Sequence, residues 1–168
     1  GSDSMGLEPK TGRVQVTTEK QPSLPHGAQC AKLRPASGSV ITKPFELSSS
    51  QDGKTFTFSL FAKTEKDGVS AGLFIFKFEN NEIIAAQPVS LSKNWKRYSL
   101  TAPLKSGKIG LGIAFNTQSP IWIDALQLEQ ENTSSEYTLT PEFAIGATIP
   151  AENNYVFFRG EDIPILIH

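Results

Sequence analysis

Several things are scarce in this chain of 168 residues, and each scarcity removes a class of function. There is one cysteine, Cys30, so no disulfide within the chain can form. There are two histidines, His26 and His168, and neither stands beside the cysteine in a pattern that suits a nucleophile and its base. In "AQCAKL", Cys30 reads as a small buried apolar residue. No apolar run reaches the ~18 residues of a membrane-spanning helix, so no membrane partner is expected. The 16 basic and 17 acidic residues are well mixed and leave a net charge of −1. No basic patch or arm stands out, so nucleic acid is not an expected partner. The opening "GSDSMGLEPK" lacks the basic and apolar regions of a signal peptide, and Gly1-Ser2 reads as a tag remnant.

Helical periodicity is also missing. Eleven prolines and thirteen glycines punctuate the chain, and the apolar residues recur mostly at every second position. The clearest case is "TFTFSLFAKT" (55–64). It puts Phe56, Phe58, Leu60 and Ala62 on one side, and Thr57, Ser59, Phe61 and Lys63 on the other. "KIGLGIAFN" (108–116) alternates Ile109, Leu111, Ile113 and Phe115 with Gly110, Gly112 and Ala114. "VSAGLFIFKF" (69–78) is apolar on both faces, as a covered central strand would be. Further strands read at 12–20, 26–35, 38–47, 83–91, 94–102 and 120–129, with Pro44 marking an edge or bulge. About nine short strands with polar turns and little or no helix predict an all-β, antiparallel β-sandwich. Its core is expected to include Val14, Val16, Leu33, Phe56, Phe58, Leu60, Leu73, Ile75, Tyr98, Leu100, Ile109, Leu111, Ile113, Phe115, Ile123 and Leu126.

The boundaries expected are a tag remnant and disordered start over 1–11, the sandwich over 12–137, and a linker over 138–168 that carries the first strand or strands of a further β domain. The neighbouring domains of a longer modular chain are therefore expected partners.

Sugar binding by a sandwich needs aromatic faces for the C–H side of the ring and polar groups for the hydroxyls. Thr57, Ser59, Phe61 and Lys63 offer such a face, with Gly110, Gly112 and Ala114 expected beside it to leave room for a shallow groove. Trp122 or Trp95 could line it, and so could one of Phe74, Phe76 or Phe78, with Trp122 the first choice. The bland reading of each ring is core packing. Tryptophan and tyrosine are few, two and three, where sugar grooves favour them over phenylalanine. Asn132-Thr133-Ser134 matches a glycosylation acceptor pattern that also arises by chance. Asp52, Asp67 and Glu79 lie in turns and read as solvated turn residues.

"IWIDALQLEQENTSSEYTL" (121–139) sets a lone carboxylate, Asp124, inside an apolar strand. It is open to three readings: a pin on the backbone, a metal ligand, or a catalytic acid. A glycosidase needs a second carboxyl group about 5–10 Å away, and none is evidently paired with Asp124. No paired acid, nucleophile with base, or metal cluster is visible, so an enzyme is not expected.

The order "GKTFTFSLFAKTEKDG", "NWKRYSLTAP", "GKIGLGIAF", "IWIDALQLEQ", "EYTL" resembles the jelly-roll carbohydrate-binding modules of the family 4, 9 and 22 type, which are galactose-binding-like β-sandwiches. The matches fall at 55–63, 95–101, 122–129 and Tyr137, and the resemblance spans roughly residues 12–137. It implies a jelly roll. It also implies a non-catalytic module for polysaccharide or oligosaccharide in an extracellular bacterial protein, secreted or on the cell surface, attached to a glycoside hydrolase or surface protein. At Asp124 it implies either a structural calcium ion (Ca2+) or a cap on nearby amides. "GLEPKTGRVQV" departs from the Asn-x-x-Phe-Glu-like opening that helps hold that calcium. The alternative is a structural, adhesion or assembly module of a surface or phage-tail protein with the same fold and no sugar site.

Overall fold

The structure is a computed structural model and describes residues 7–12, 14–21, 23–25, 29–34, 37–135 and 157–159. The strands are β1 (Leu7–Gly12), β2 (Gln15–Glu19), β3 (Cys30–Arg34), β4 (Ser37–Thr42), β5 (Phe45–Leu47), β6 (Thr55–Thr64), β7 (Val69–Lys77), β8 (Glu82–Leu91), β9 (Lys96–Pro103), β10 (Gly107–Asn116), β11 (Ile121–Glu129) and β12 (Phe157–Arg159). The helical content among the described residues is one 3-10 turn at Ser49–Gln51. No described helix is long and apolar enough to cross a membrane.

The first sheet runs β1-β4-β10-β7-β8, with β5 also on β10; the second runs β2-β3-β11-β6-β9, with β12 on β11. All pairings are antiparallel except that of β12 with β11. Leu7–Gly12 pairs with β4, so a strand stands where the sequence suggested a remnant. Pro44 divides the expected strand at 38–47 into β4 and β5, because proline has no N–H for a ladder. Phe157–Arg159 pairs in parallel with Gln127–Glu129. Tyr137 and the rest of 138–168 lie outside the described residues.

The two sheets bury one core between them. Phe56, Phe58, Leu60 and Ala62 of β6 meet Ile109, Leu111, Ile113 and Phe115 of β10 in one cluster with Leu33, Leu73, Ile75, Ile123 and Leu126. Every core residue expected from alternation belongs to this cluster, with Val16 and Tyr98 at its margin. A second, smaller cluster lies on the outer face of the first sheet: Ile41, Phe74 and Phe76, flanked by Phe78 and Ala114.

Candidate functional site

Opposed residues of antiparallel strands share a face, so the ladder registers lay out the outer face of the second sheet in rows. Lys32, Trp122 and Lys63 form one row; Phe61 is opposite both Asp124 and Arg97; Gln127, Ser59 and Ser99 form the next; Glu129, Thr57 and Thr101 the last. Trp95 precedes β9, whose first residue, Lys96, is opposite Ala62. Of the five expected ligand residues, Trp122, Phe61, Lys63 and Ser59 thus belong to this one sheet, and Trp95 stands just before its strand β9.

The glycines expected beside them do not. β10 pairs with β4, β5 and β7, so Gly110, Gly112 and Ala114 belong to the first sheet, across the core from β6. They leave no trough either. A Cβ on Gly112 would lie 2.2 Å from the tip of Phe74, and one on Gly110 would lie 2.8 Å from Phe78. The aromatic rings of the second cluster already fill the space above those glycines.

Around Trp122 the polar groups form a closed circuit. Lys63 Nζ lies 5.3 Å from the Trp95 ring centre and 5.2 Å from that of Trp122. Lys32 Nζ is 5.0 Å from the Trp122 ring and 2.7 Å from Glu19 Oε2. Gln21 joins the ends: it donates to Glu19 and accepts from Lys63 Nζ at 3.0 Å. The Lys32 bond is the largest of the effects that hold the Glu19 carboxyl below its usual range. The Trp122 indole N–H lies near enough to favour the charged form of Glu19 without reaching hydrogen-bond geometry. Trp122 is 8% exposed, while Trp95, Phe61 and Lys63 are half-buried. The indole N–H groups of Trp95 and Trp122 are buried, with no hydrogen-bond acceptor among the described residues.

The other end of the face is closed by the chain itself. Arg97 donates to Ser59 Oγ from Nε (3.1 Å) and Nη2 (2.8 Å), to Gln127 Oε1 (2.7 Å), and to the Ser135 carbonyl. Its guanidinium faces the fully buried Glu129 at 3.7 Å and stacks 5.7 Å from the Phe61 ring. Burial lowers the Arg97 pKa and the Glu129 charge opposes that shift. Glu129 accepts from the Ser135 amide at 3.0 Å and from its hydroxyl. Thr57 donates to the Glu131 carbonyl at 2.7 Å. The segment 130–135 is thereby fastened across the sheet. Ser59 is fully buried and committed to Arg97.

Asp124 is 4% exposed and accepts the amide of Ala125 at 2.8 Å. The β11–β6 register shifts between Asp124 and Gln127, and Ala125 has φ of 49°. The carboxylate therefore caps a β-bulge in which an alanine is left-handed. Calcium takes six to eight oxygens, several of them carboxylate. Among the described residues no group of three His, Cys, Asp or Glu side chains is placed to hold a metal ion.

Sequence reasoning missed one set of residues. Asp52, Asp67 and Glu79 are exposed, yet each accepts a distant backbone amide: Ser106, Lys93 and Lys108 respectively. These bonds are the largest of the effects that lower each pKa. A turn position is readable from sequence, but the partner loop is not.

No family model matches the chain. No curated protein matches it. Several solved structures share the fold. One, titled as the structure and function of a CBM4, is 16% identical over 68% of this chain and 76% of its own, with a TM-score of 0.53. The CBM22-1 xylan-binding domain from Paenibacillus barcinonensis Xyn10C is 13% identical over 73% of this chain and 84% of its own, with a TM-score of 0.52. The enzymatically active domain of tailspike protein 4 of bacteriophage CBA120 is 14% identical over 73% of this chain, which spans 18% of it, with a TM-score of 0.53. The fold is thus similar to the jelly-roll β-sandwich of the carbohydrate-binding modules.

Proposed function

We propose that this chain is a non-catalytic carbohydrate-binding module, and that it takes an oligosaccharide at the outer face of the second sheet beside Trp95, Phe61, Lys63 and Trp122. One observation carries the reading. Two indoles and a phenyl ring stand on a single sheet face with ammonium, carboxylate and carboxamide groups between them. Ring faces receive the C–H side of a sugar, and the polar groups read its hydroxyls. Similarity to a domain named as xylan-binding supports the same class of ligand. In this reading the chain is part of an extracellular bacterial protein, and it holds a glycoside hydrolase or surface protein on a polysaccharide by raising local concentration.

A glycan panel read by tryptophan fluorescence tests this. A sugar that shifts the emission, with the shift lost in Trp95→Ala, is the expected result. Silence across the panel overturns it.

A second reading is a structural or assembly module. It is favoured by how little of the face is open: Trp122 is 8% exposed, and Thr57, Ser59 and Glu129 are fully buried beneath 130–135. The tailspike similarity suits it as well. Self-association in analytical ultracentrifugation, together with silence in the panel, would select it.

A further inference from the structure

We propose that segment 130–135 is a displaceable strap that occupies part of the sugar site, so that an oligosaccharide binds by lifting it from the sheet. This rests on the carbohydrate-binding reading and adds a regulation to that site.

The surface beneath the strap is polar. Thr57, Ser59 and Glu129 are wholly buried and Gln127 nearly so, although all four lie on an outer sheet face. With Arg97 they set hydroxyl, carboxamide, carboxylate and guanidinium groups side by side. Groups of these kinds read hydroxyls in ligand sites. They adjoin the ring-bearing part of the face directly, because Arg97 stacks 5.7 Å from the Phe61 ring and also donates to the Ser135 carbonyl.

The strap meets these groups much as a sugar would. Thr57 and Arg97 each donate to one of its oxygens, the carbonyls of Glu131 and Ser135. Glu129 accepts from the Ser135 hydroxyl as well as from its amide. A sugar hydroxyl likewise accepts and donates through one group. The exchange strands no charge, since Arg97 and Glu129 still face each other at 3.7 Å.

The hold on the strap is also slight. Its six residues, Gln130, Glu131, Asn132, Thr133, Ser134 and Ser135, include no apolar one, so lifting it gives up no apolar core. It belongs to no described strand, and Glu131, Asn132 and Thr133 are exposed. Its bonds to Thr57, Arg97 and Glu129 run through Glu131 and Ser135. Bonds replaced in kind cost little to exchange, and segments with few apolar contacts open first. The apparent affinity for a sugar is then the intrinsic affinity multiplied by the fraction of molecules with the strap lifted. Loosening the strap should therefore tighten sugar binding, an effect that a purely structural cover would not give.

Affinity gel electrophoresis of the full chain in soluble xylan, mixed-linkage glucan and galactan tests this. Ser135→Ala removes the hydroxyl that binds Glu129. Two glycines inserted after Asn132 slacken the strap without altering the sheet. Both variants should be retarded by at least one polymer with an apparent affinity about 5-fold above that of the unaltered chain. Thr133→Ala, at an exposed strap position, should bind as the unaltered chain does. Thermal melts establish that each variant is folded. Hydrogen exchange follows the strap itself: the polymer that binds should speed exchange of the Ser135 amide. Equal or weaker retardation of both loosened variants, or a Ser135 amide that the polymer slows, overturns the strap proposal and leaves the carbohydrate-binding reading standing. No retardation of any variant by any of the three polymers overturns the proposal and counts against the carbohydrate-binding reading as well.

Discussion

The Arg97 guanidinium faces the Glu129 carboxylate at 3.7 Å, and Glu129 is wholly buried. The pair is satisfied from all sides: Ser59, Gln127 and Ser135 take the guanidinium hydrogens, and Ser135 supplies two donors to the carboxylate. Removing one partner strands the other charge without water. Arg97→Ala and Glu129→Ala should each cost about 3–5 kcal/mol, and a double variant less than the sum. Arg97→Lys should not restore stability, because an ammonium lacks the planar fork that reaches Ser59 and Gln127 together. Urea unfolding of the unaltered chain and the four variants measures this. Additive losses would mean that the two charges do not act as a pair.

Phe74 lies over Gly112, so closely that a methyl group on that glycine would meet the ring at 2.2 Å. Phe74 is 3% exposed and has little room to retreat. Gly112→Ala should destabilise by about 1–3 kcal/mol through overpacking. In a Phe74→Ala background the same change should cost much less. A cost that is equal in both backgrounds would place the effect in the backbone.

These two relationships show what was legible in the sequence and what was not. Alternation over 55–64 and 108–116 identified the core faces of β6 and β10, because a sheet with one dry side imposes a period of two. It could not say which sheet each strand joins, because pairing is decided by partners far along the chain. Hence Gly110 and Gly112 were expected to open a groove beside Phe61, and instead they lie across the core beneath Phe74 and Phe78. Alternation put Thr57, Ser59, Phe61 and Lys63 on one side of β6, but it is the ladder to β11 that sets Trp122 beside Lys63. The circuit through Glu19, Gln21 and Lys32 escaped notice, because β2 and β3 carry no motif that announces it.

Asp124 caps the bulge at Ala125, and the left-handed φ of 49° at an alanine is a strained conformation. Ala125→Gly should therefore raise stability by about 0.5–1 kcal/mol, the relief of strain exceeding the entropy lost. Asp124→Ala should lower it by about 1–3 kcal/mol, because a buried amide loses its acceptor. Melting temperature should be the same in calcium and in chelator. A calcium-dependent rise that is absent from Asp124→Ala would make this carboxylate a metal ligand after all.

Acid should loosen the loops before the sheets. Asp52, Asp67 and Glu79 each have a folded pKa below the ordinary carboxylate value, chiefly because of a backbone amide that binds the charged form. Their contribution is complete above about pH 4–5, where the unfolded chain is also ionised, and is lost as pH falls through the lower folded values. The melting temperature should hold level from pH 7 to about 5 and then fall. Asp67→Asn should lie lower at neutral pH and fall less steeply in acid. Parallel curves for the two proteins would show that Asp67 does not titrate with folding.

The alkaline limb belongs in part to Cys30. Its thiol is fully buried, contacts the Glu19 carbonyl at 3.4 Å, and is pushed up to about 11, first by burial and then by the charges of Asp124 and Glu19. An unfolded thiol ionises near pH 8.5. The folded state resists that ionisation, so the contribution of Cys30 is complete below about 8.5 and is lost as pH rises toward about 11. Tyr98 is shifted upward as well, chiefly by burial, and adds to the same slope. Two measurements follow. Cys30→Ala should flatten the decline in melting temperature between pH 8.5 and 10.5 without abolishing it. In the unaltered chain at pH 8, the thiol should react with a disulfide reagent only as fast as the protein unfolds, and urea should speed the reaction by orders of magnitude. Prompt reaction in the native state would mean that β3 opens locally along Cys30, and that this part of the sheet is less stable than its burial implies.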